Sequence, residues 1–196
     1  MASVEGLVVA LLAAGRSGRF GAADKLTALL AGRPLIDWAA DAGRSVNAAQ
    51  HFVVTGPDMP QIFCPDGYVP LVNLAAEEGL GSSLRMAARH ARETGASALL
   101  VLLADMPFVR PSHLSLLIAT FDIDPAIPVF SRAPGNAAQP PAILPSALFP
   151  TLEALGGDSG ARSLARGATL VEAPADTLID VDTPADLALC AQLLGR

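Results

Sequence analysis

Four short apolar runs, at residues 7–12, 51–55, 69–74 and 98–103, constrain this chain more than any other feature. Each is rich in Val, Leu or Ile and is bounded by Gly, Pro, Asn or Asp, so each reads as a buried strand. Between them, apolar residues fall at helical spacing: Leu35, Trp38, Ala39 and Ala42 share one face, as do Leu84, Ala87, Ala88 and Ala91. Strands alternating with helices imply right-handed βαβ units, and so a Rossmann-like α/β fold with a mostly parallel sheet covered on both faces. Beyond Pro111 the pattern predicts a helix to about residue 120, a strand at 127–131 and a Pro-rich turn through Pro140 and Pro141. Helices at 147–155 and 160–165 follow, then a strand pair near Leu170 and Leu178 and a closing helix from Pro184. Neither a repeat nor a linker interrupts the pattern, and residues 1–196 read as one domain.

With 52% hydrophobic residues in 196, the chain can bury a sizeable core. Its formal net charge of −6 and its scattered cations argue against a nucleic-acid partner, which needs Lys and Arg clustered on one face. Cys64 and Cys190 belong to no disulfide framework or zinc spacing, which suits a reducing cytoplasm. The apolar stretch at 7–14 is too short to span a bilayer and has no basic segment before it, so neither a membrane anchor nor a signal peptide is expected.

The first strand runs into residues 11–26, LLAAGRSGRFGAADKL. Gly15, Gly18 and Gly21 leave backbone N–H groups without bulky side chains in front of them, and such a loop can cradle phosphate. Glycines three apart match neither the Walker A loop nor the dinucleotide fingerprint. Arg16, Arg19 and Lys25 add positive charge within reach of a triphosphate lying over the strand's carboxyl end. Lys25, the only lysine in the chain, has a plainer alternative as the opening residue of a surface helix.

This loop resembles the L-A-A-G-x-S-x-R-x-G-x-x-K loop of the MobA-like nucleotidyltransferase superfamily. Four further segments are similar to that family in order: AEEGLGSSLRMA, VLLADMPFV, GGDSGARSL and IDVDTPADL. The combination, extending from Leu11 to Leu187, is closest to the molybdenum cofactor cytidylyltransferases, the branch that includes maturation proteins for xanthine dehydrogenase and related molybdenum hydroxylases. The resemblance implies a mixed, three-layer α/β/α fold of the nucleotide-diphospho-sugar transferase type. It also implies a nucleoside triphosphate and a phosphorylated acceptor as ligands, with CTP and molybdopterin as the expected pair, and docking to a hydroxylase as a possible further contact.

Two aspartates carry the implied metal site. Asp105 emerges at a strand's carboxyl end, with Pro107 breaking the chain just after it, a position that suits a metal ligand. Asp180 and Asp182 are two apart on an extended segment and point to one side, ahead of a helix that Thr183 or Asp182 can cap and Pro184 can begin. For Asp182 a simple helix cap is the bland alternative. The resemblance implies that Asp105 and Asp182 hold one Mg²⁺, with Asp180 more distant, which agrees with the preference of Mg²⁺ for few carboxylates plus phosphate and water oxygens. It further implies that the amides of residues 14–18, with Arg19 and Lys25, hold the β- and γ-phosphates. In the implied reaction an acceptor phosphate oxygen attacks the α-phosphorus and pyrophosphate leaves. Positioning and charge neutralisation supply most of the rate, with Arg19, Lys25, Asp105 and Asp182 as the catalytic set.

Within the family, L-A-G-G resembles the GTP branch and A-A-G the CTP branch; here the residues are Ala13, Ala14 and Gly15. The nucleotide-binding set implied by the resemblance is Ala13, Ala14, Gly15, Arg16, Ser17, Gly18, Arg19 and Lys25, joined by Gly79, Gly81, Ser82 and Ser83. The last four match the cytidylyl branch's G-[LM]-x-[ST]-S and can contact a cytosine edge or ribose, or cap a helix beginning near Leu84. On the acceptor side, GNAAQPP stands where cytidylyltransferases show G-N-P-G-H-P. Asn136 is kept and Gln139 replaces the histidine, so any role of imidazolium charge is lost. Arg162 is the residue expected on the acceptor phosphate, with a solvated Arg and a capping Asp158 as the alternative. His51, His90 and His113 fit no motif and read as core-edge or surface residues. Two rival functions stand beside this one: transfer to a sugar-alcohol phosphate or phosphonate, and a non-catalytic carrier of the molybdenum cofactor.

Overall fold

A computed structural model describes residues 4–15, 20, 25–57, 64–155, 164–174 and 176–195. Its centre is β1 (Leu7–Ala13), buried at every position. It pairs in parallel with β4 (Gln50–Thr55) on one side and β6 (Ala98–Leu103) on the other, so that Leu11 faces both Val53 and Leu102. The seven-stranded sheet continues through β5 (Val69–Val72), β7 (Val129–Arg132), β8 (Gln139–Pro145) and β9 (Thr169–Glu172), in the order β5-β4-β1-β6-β8-β7-β9. β8 runs antiparallel to β6 and β7, while β9 is parallel to β7, which gives the expected mostly parallel, mixed sheet.

The two-residue side-chain alternation of β1 divides the core. Val9 and Leu11 face α1 (Leu35–Arg44), α3 (Pro111–Ile123) and α5 (Pro184–Leu194), packing with Leu35, Ile36, Leu114, Leu117, Phe121 and Cys190. Val8, Ala10 and Leu12 face α2 (Leu80–Glu93) and α4 (Phe149–Glu153), where Leu84, Ala87, Ala88, Ala91, Phe149 and Leu152 fill the second cluster. Each fully buried Leu or Phe contributes roughly 1.5–3 kcal/mol by leaving water. Among the described residues no helix is long and apolar enough to cross a membrane.

From β1 the chain steps outward through α1 to β4 and β5, then returns over α2 to β6 on the far side of β1. The strand order therefore reverses between β1 and β6. Ligands of open α/β sheets bind outside the carboxyl ends of strands at such a reversal. The ends of β1 and β6 are where the glycine loop begins and where Asp105 emerges.

Several expectations are corrected. Pro140 and Pro141 do not form a turn but open β8. The ladder to β6 starts only at Ala142, opposite Val101, so neither proline has to donate an N–H to it. The pairing with β7 is irregular between Phe130 and Ser131. Leu178 is not in a strand; it closes a turn in which Thr177 N–H donates to Pro174 O, and its apolar signal reflects burial alone. Most of the expected helix at 160–165 lies outside the described residues, and 164–167 form turns. His113 is neither surface nor core edge: it is buried, with Nε2 2.8 Å from Ser131 Oγ. A small hairpin, β2 (Leu29–Leu30) and β3 (Arg33–Pro34), was unforeseen and turns through Ala31 and Gly32, both at positive φ.

Candidate active site

The carboxyl ends of β1 and β6 are zipped by Ala104 N–H, which donates to Leu12 O at 3.0 Å. Asp105 follows at once, with Met106 and Val109 buried behind it. Val181 N–H then donates to Asp105 O at 2.9 Å, which brings the distant segment 179–182 to the same edge. There the choice of helix cap is decided. Thr183 is the N-cap of α5: its hydroxyl accepts from Asp186 N–H, and the Asp186 carboxylate accepts from Thr183 N–H, with Pro184 in the first turn. Asp182 is thereby released from capping.

Its carboxylate turns to Lys25. Lys25 Nζ donates to Asp105 Oδ2 at 2.7 Å and to Asp182 Oδ1 at 2.9 Å. The lysine sits in a 3-10 turn (Lys25–Thr27) yet its side chain is only 6% exposed, so it is not the first residue of a surface helix. Burial by itself lowers its pKa, but the charges and hydrogen bonds of Asp105 and Asp182 outweigh burial and raise the ammonium above its ordinary value. Asp180 feels the reverse: burial first, then the charges of Asp105 and Asp182, push its carboxyl up. Two carboxylates thus converge on one ammonium, with Asp180 within reach of their charge.

Asp105 Oδ1 is buried with no hydrogen-bond partner among the described residues. A buried carboxylate oxygen left in this state is costly, and a cation is the partner its chemistry calls for. Among the described residues, no group of three or more His, Cys, Asp or Glu can hold a metal ion by itself. The donor set therefore fits a hard cation that keeps water and takes phosphate oxygens as its remaining ligands, as Mg²⁺ does.

Around this cluster lies a pocket of about 160 Å³ whose lining includes Ala13, Ala14, Gly15, Lys25, Ser83 and Asp105. Sharing Leu12, Leu80 and Leu103 with it is a second cavity of about 340 Å³, on the α2 side of the sheet. This one is apolar, built from Leu84, Val101, Phe130 and Leu144, with the Gln139 amide as its polar side chain. The register of β8 puts Gln139 there, because a strand antiparallel to β6 begins where β6 ends.

The segment 79–83 behaves differently from expectation. α2 begins at Leu80, not near Leu84. Gly79, at φ 92°, makes the corner that joins a 3-10 turn to the helix, a conformation other residues rarely adopt. The Ser82 and Ser83 hydroxyls, both buried, accept from Asn73 Nδ2 at 2.8 and 3.1 Å, and Ser82 Oγ donates to Gly79 O at 2.8 Å. No side chain caps α2. Asn73 also accepts from Ala75 N–H. Sequence reasoning missed this residue; its only signal is an apolar run that ends in Asn ahead of the glycine corner, and that run, expected as a buried strand, forms β5 at the exposed edge of the sheet.

Ala13, Ala14, Gly15, Lys25, Ser83, Asp105 and Asp182 are thus brought together, with Gly79, Gly81 and Ser82 at the adjoining helix start. Gln139 lies in the neighbouring cavity, whereas Asn136 is exposed in a turn and lines neither space. Arg16, Ser17, Gly18, Arg19, Asp158 and Arg162 lie outside the described residues.

Comparison with known proteins bears on this site. Residues 9–175 match the MobA-like NTP transferase domain. The purine catabolism protein PucB of Bacillus subtilis (strain 168) is 36% identical over 115 residues, covering 56% of this chain and 54% of PucB, so the chain matches about half the length of that relative. The crystal structure of a homolog of Mycobacterium tuberculosis Rv0371c from Mycobacterium sp. strain JC1 is 27% identical, with a TM-score of 0.78 over 95% of this chain and 98% of that one. Rv0371C of Mycobacterium tuberculosis H37Rv, solved as a complex with manganese, is 22% identical, with a TM-score of 0.71 over the same shares of the two chains.

Proposed function

The chain belongs to the MobA-like NTP transferase family, and from that premise we propose that it is a Mg²⁺-dependent cytidylyltransferase. In this reading it transfers CMP from CTP to the phosphate of molybdopterin or the molybdenum cofactor and releases pyrophosphate. One observation carries it: a buried lysine and two aspartates converge at the reversal point of the sheet, beside the backbone of Ala14 and Gly15.

Asp105 and Asp182 would hold the cation, which, when bound, supplies positive charge to the α-phosphate and the leaving pyrophosphate. That a solved neighbour was obtained as a complex with manganese supports a divalent ion as a ligand. The amides of Ala14 and Gly15, with Lys25 and Arg19, orient the triphosphate and neutralise charge gathering on it. A general base is not required, because the attacking phosphate monoester is already ionised near neutral pH. Ala13-Ala14-Gly15 supports CTP, and the α2 start at 79–83 lies where a base and ribose can be met by backbone groups.

The apolar cavity beside Gln139 supports an acceptor with a flat ring body, whose faces can pack against apolar side chains. The name of PucB, a purine catabolism protein, agrees with a client hydroxylase that acts on purines. The chain would act as a single cytoplasmic domain, docking on that client. Gln139 in place of histidine, together with the exposed Asn136, favours a second reading in which the acceptor is another phosphorylated compound, a sugar-alcohol phosphate or phosphonate. A molybdenum cofactor carrier without turnover is the third.

The test is to incubate the protein with Mg²⁺, molybdopterin or molybdenum cofactor, and each of CTP, GTP, ATP and UTP, and to measure pyrophosphate. Turnover with CTP is expected. Preference for GTP removes the base assignment, turnover only with other acceptors selects the second reading, and tight pterin binding without turnover selects the carrier.

A further inference from the structure

The ammonium of Lys25 lies between the two carboxylates that the preceding reading assigns to the metal. Nζ is 2.7 Å from Asp105 Oδ2 and 2.9 Å from Asp182 Oδ1, and the side chain is 6% exposed. A cation shared by these carboxylates would sit at roughly 2.1 Å from an oxygen of each, in the space the ammonium fills. The protein thus carries its own occupant for the place. A free divalent ion meets carboxylates that each already bind the ammonium through one oxygen, and to bridge them it must push that buried ammonium aside and hold it beside a second positive charge. Two carboxylates are also too few ligands to repay that loss, and among the described residues no third metal-binding side chain completes the set.

A cation that arrives on a triphosphate changes both terms. It brings phosphate oxygens as ligands, and other phosphate oxygens accept the ammonium as it leaves the aspartates. The pocket that holds Lys25 and Asp105 is lined by Ala14 and Gly15, so a phosphate there is within the lysine's surroundings. We propose that Lys25 occupies the Asp105–Asp182 pair in the ligand-free protein and must be displaced before a divalent cation binds. Lys25 thereby admits the cation with the triphosphate and not ahead of it. This rests on the assignment of the metal to Asp105 and Asp182.

Because Lys25 is the only lysine in the chain, lysine labelled with ¹³C at Cε places a single reporter in the full-length wild-type protein. Magnetic resonance should show its signal unmoved by Mg²⁺ alone and shifted by Mg²⁺ with CTP. A shift with Mg²⁺ alone, or a signal that stays in place while calorimetry records Mg²⁺ and CTP binding, overturns the inference. Nucleotide-free Mn²⁺ binding, followed by electron paramagnetic resonance, supplies a second measurement. Lys25→Met should bind Mn²⁺ at least about tenfold tighter than wild type, a difference of about 1.4 kcal/mol. Equal affinities overturn the inference and leave the metal assignment standing. Tightened binding that survives the addition of Asp105→Asn overturns the metal assignment itself. The labelled wild-type protein answers the question even where Lys25→Met does not fold.

Discussion

Val181 donates its backbone N–H to the backbone carbonyl of Asp105 at 2.9 Å, so a main-chain bond, besides the side-chain bridge through Lys25, holds together the two segments that carry the paired carboxylates. The carboxyl groups can therefore be altered without parting the segments.

Asp105→Asn and Asp182→Asn should each lower turnover by about 10²-fold or more, the scale of losing one electrostatic contact in a transition state. Each variant keeps the other aspartate on Lys25, so the cost to folding is about one charge-assisted hydrogen bond, roughly 1.5–3 kcal/mol. Pyrophosphate release and urea denaturation on the same samples check this, and near wild-type activity in either variant would remove the two-carboxylate site.

Asn73 ties the strand end after β5 to the first turn of α2 through Ser82 and Ser83. Asn73→Ala should cost about 1–3 kcal/mol by removing the donor that the buried Ser82 and Ser83 hydroxyls accept from, and should raise KM for the nucleotide more than it lowers kcat. Unfolding curves and steady-state kinetics at varied CTP decide it.

Gln139 supplies the polar side chain of the apolar cavity. Gln139→Ala should raise the KM of the acceptor about tenfold, the value of roughly one hydrogen bond, and leave that of CTP unchanged. An effect confined to CTP would place the acceptor elsewhere.

Burial holds the His113 imidazole below its ordinary value of 6.5. As pH falls below about 6.5 the unfolded chain takes up this proton before the folded one, so stability is full above that pH and declines as pH drops through the folded value. The slope from this single group is at most about 1.4 kcal/mol per pH unit. Urea titrations between roughly pH 7.5 and 5 should show it in wild type. They should show less of it in His113→Gln, which retains a donor for Ser131 Oγ.

Parts of this architecture are legible in sequence because a single local signal suffices. β6 occupies the expected span because six consecutive apolar residues meet a sheet buried on both faces. Thr183 and Asp186 spell a capping box, yet the neighbouring Asp182 competes for the same role until tertiary contacts draw it to Lys25. The Lys25–Asp105 pair spans 80 residues, and no local pattern encodes a contact of that range. The start of α2 was hidden because Leu80 is 39% exposed and Gly81 has no side chain, so the apolar stripe becomes visible only at Leu84. The two prolines at 140 and 141 carry a strong turn signal, and only the ladder starting at Ala142 shows why a strand can tolerate them.

The reversed direction of β8 has a consequence for how such a protein changes over time. The parallel strands β1 and β6 meet the site with their ends, whereas β8 meets it with its beginning. The cradle and the carboxylate at Asp105 are therefore attached to one pair of strands, and the 135–141 segment to another. If the proposed function holds, mutation in that short entrance would alter which acceptor is tolerated while the lysine and aspartates keep their mutual geometry, leaving recognition of the second substrate free to drift on a fixed frame.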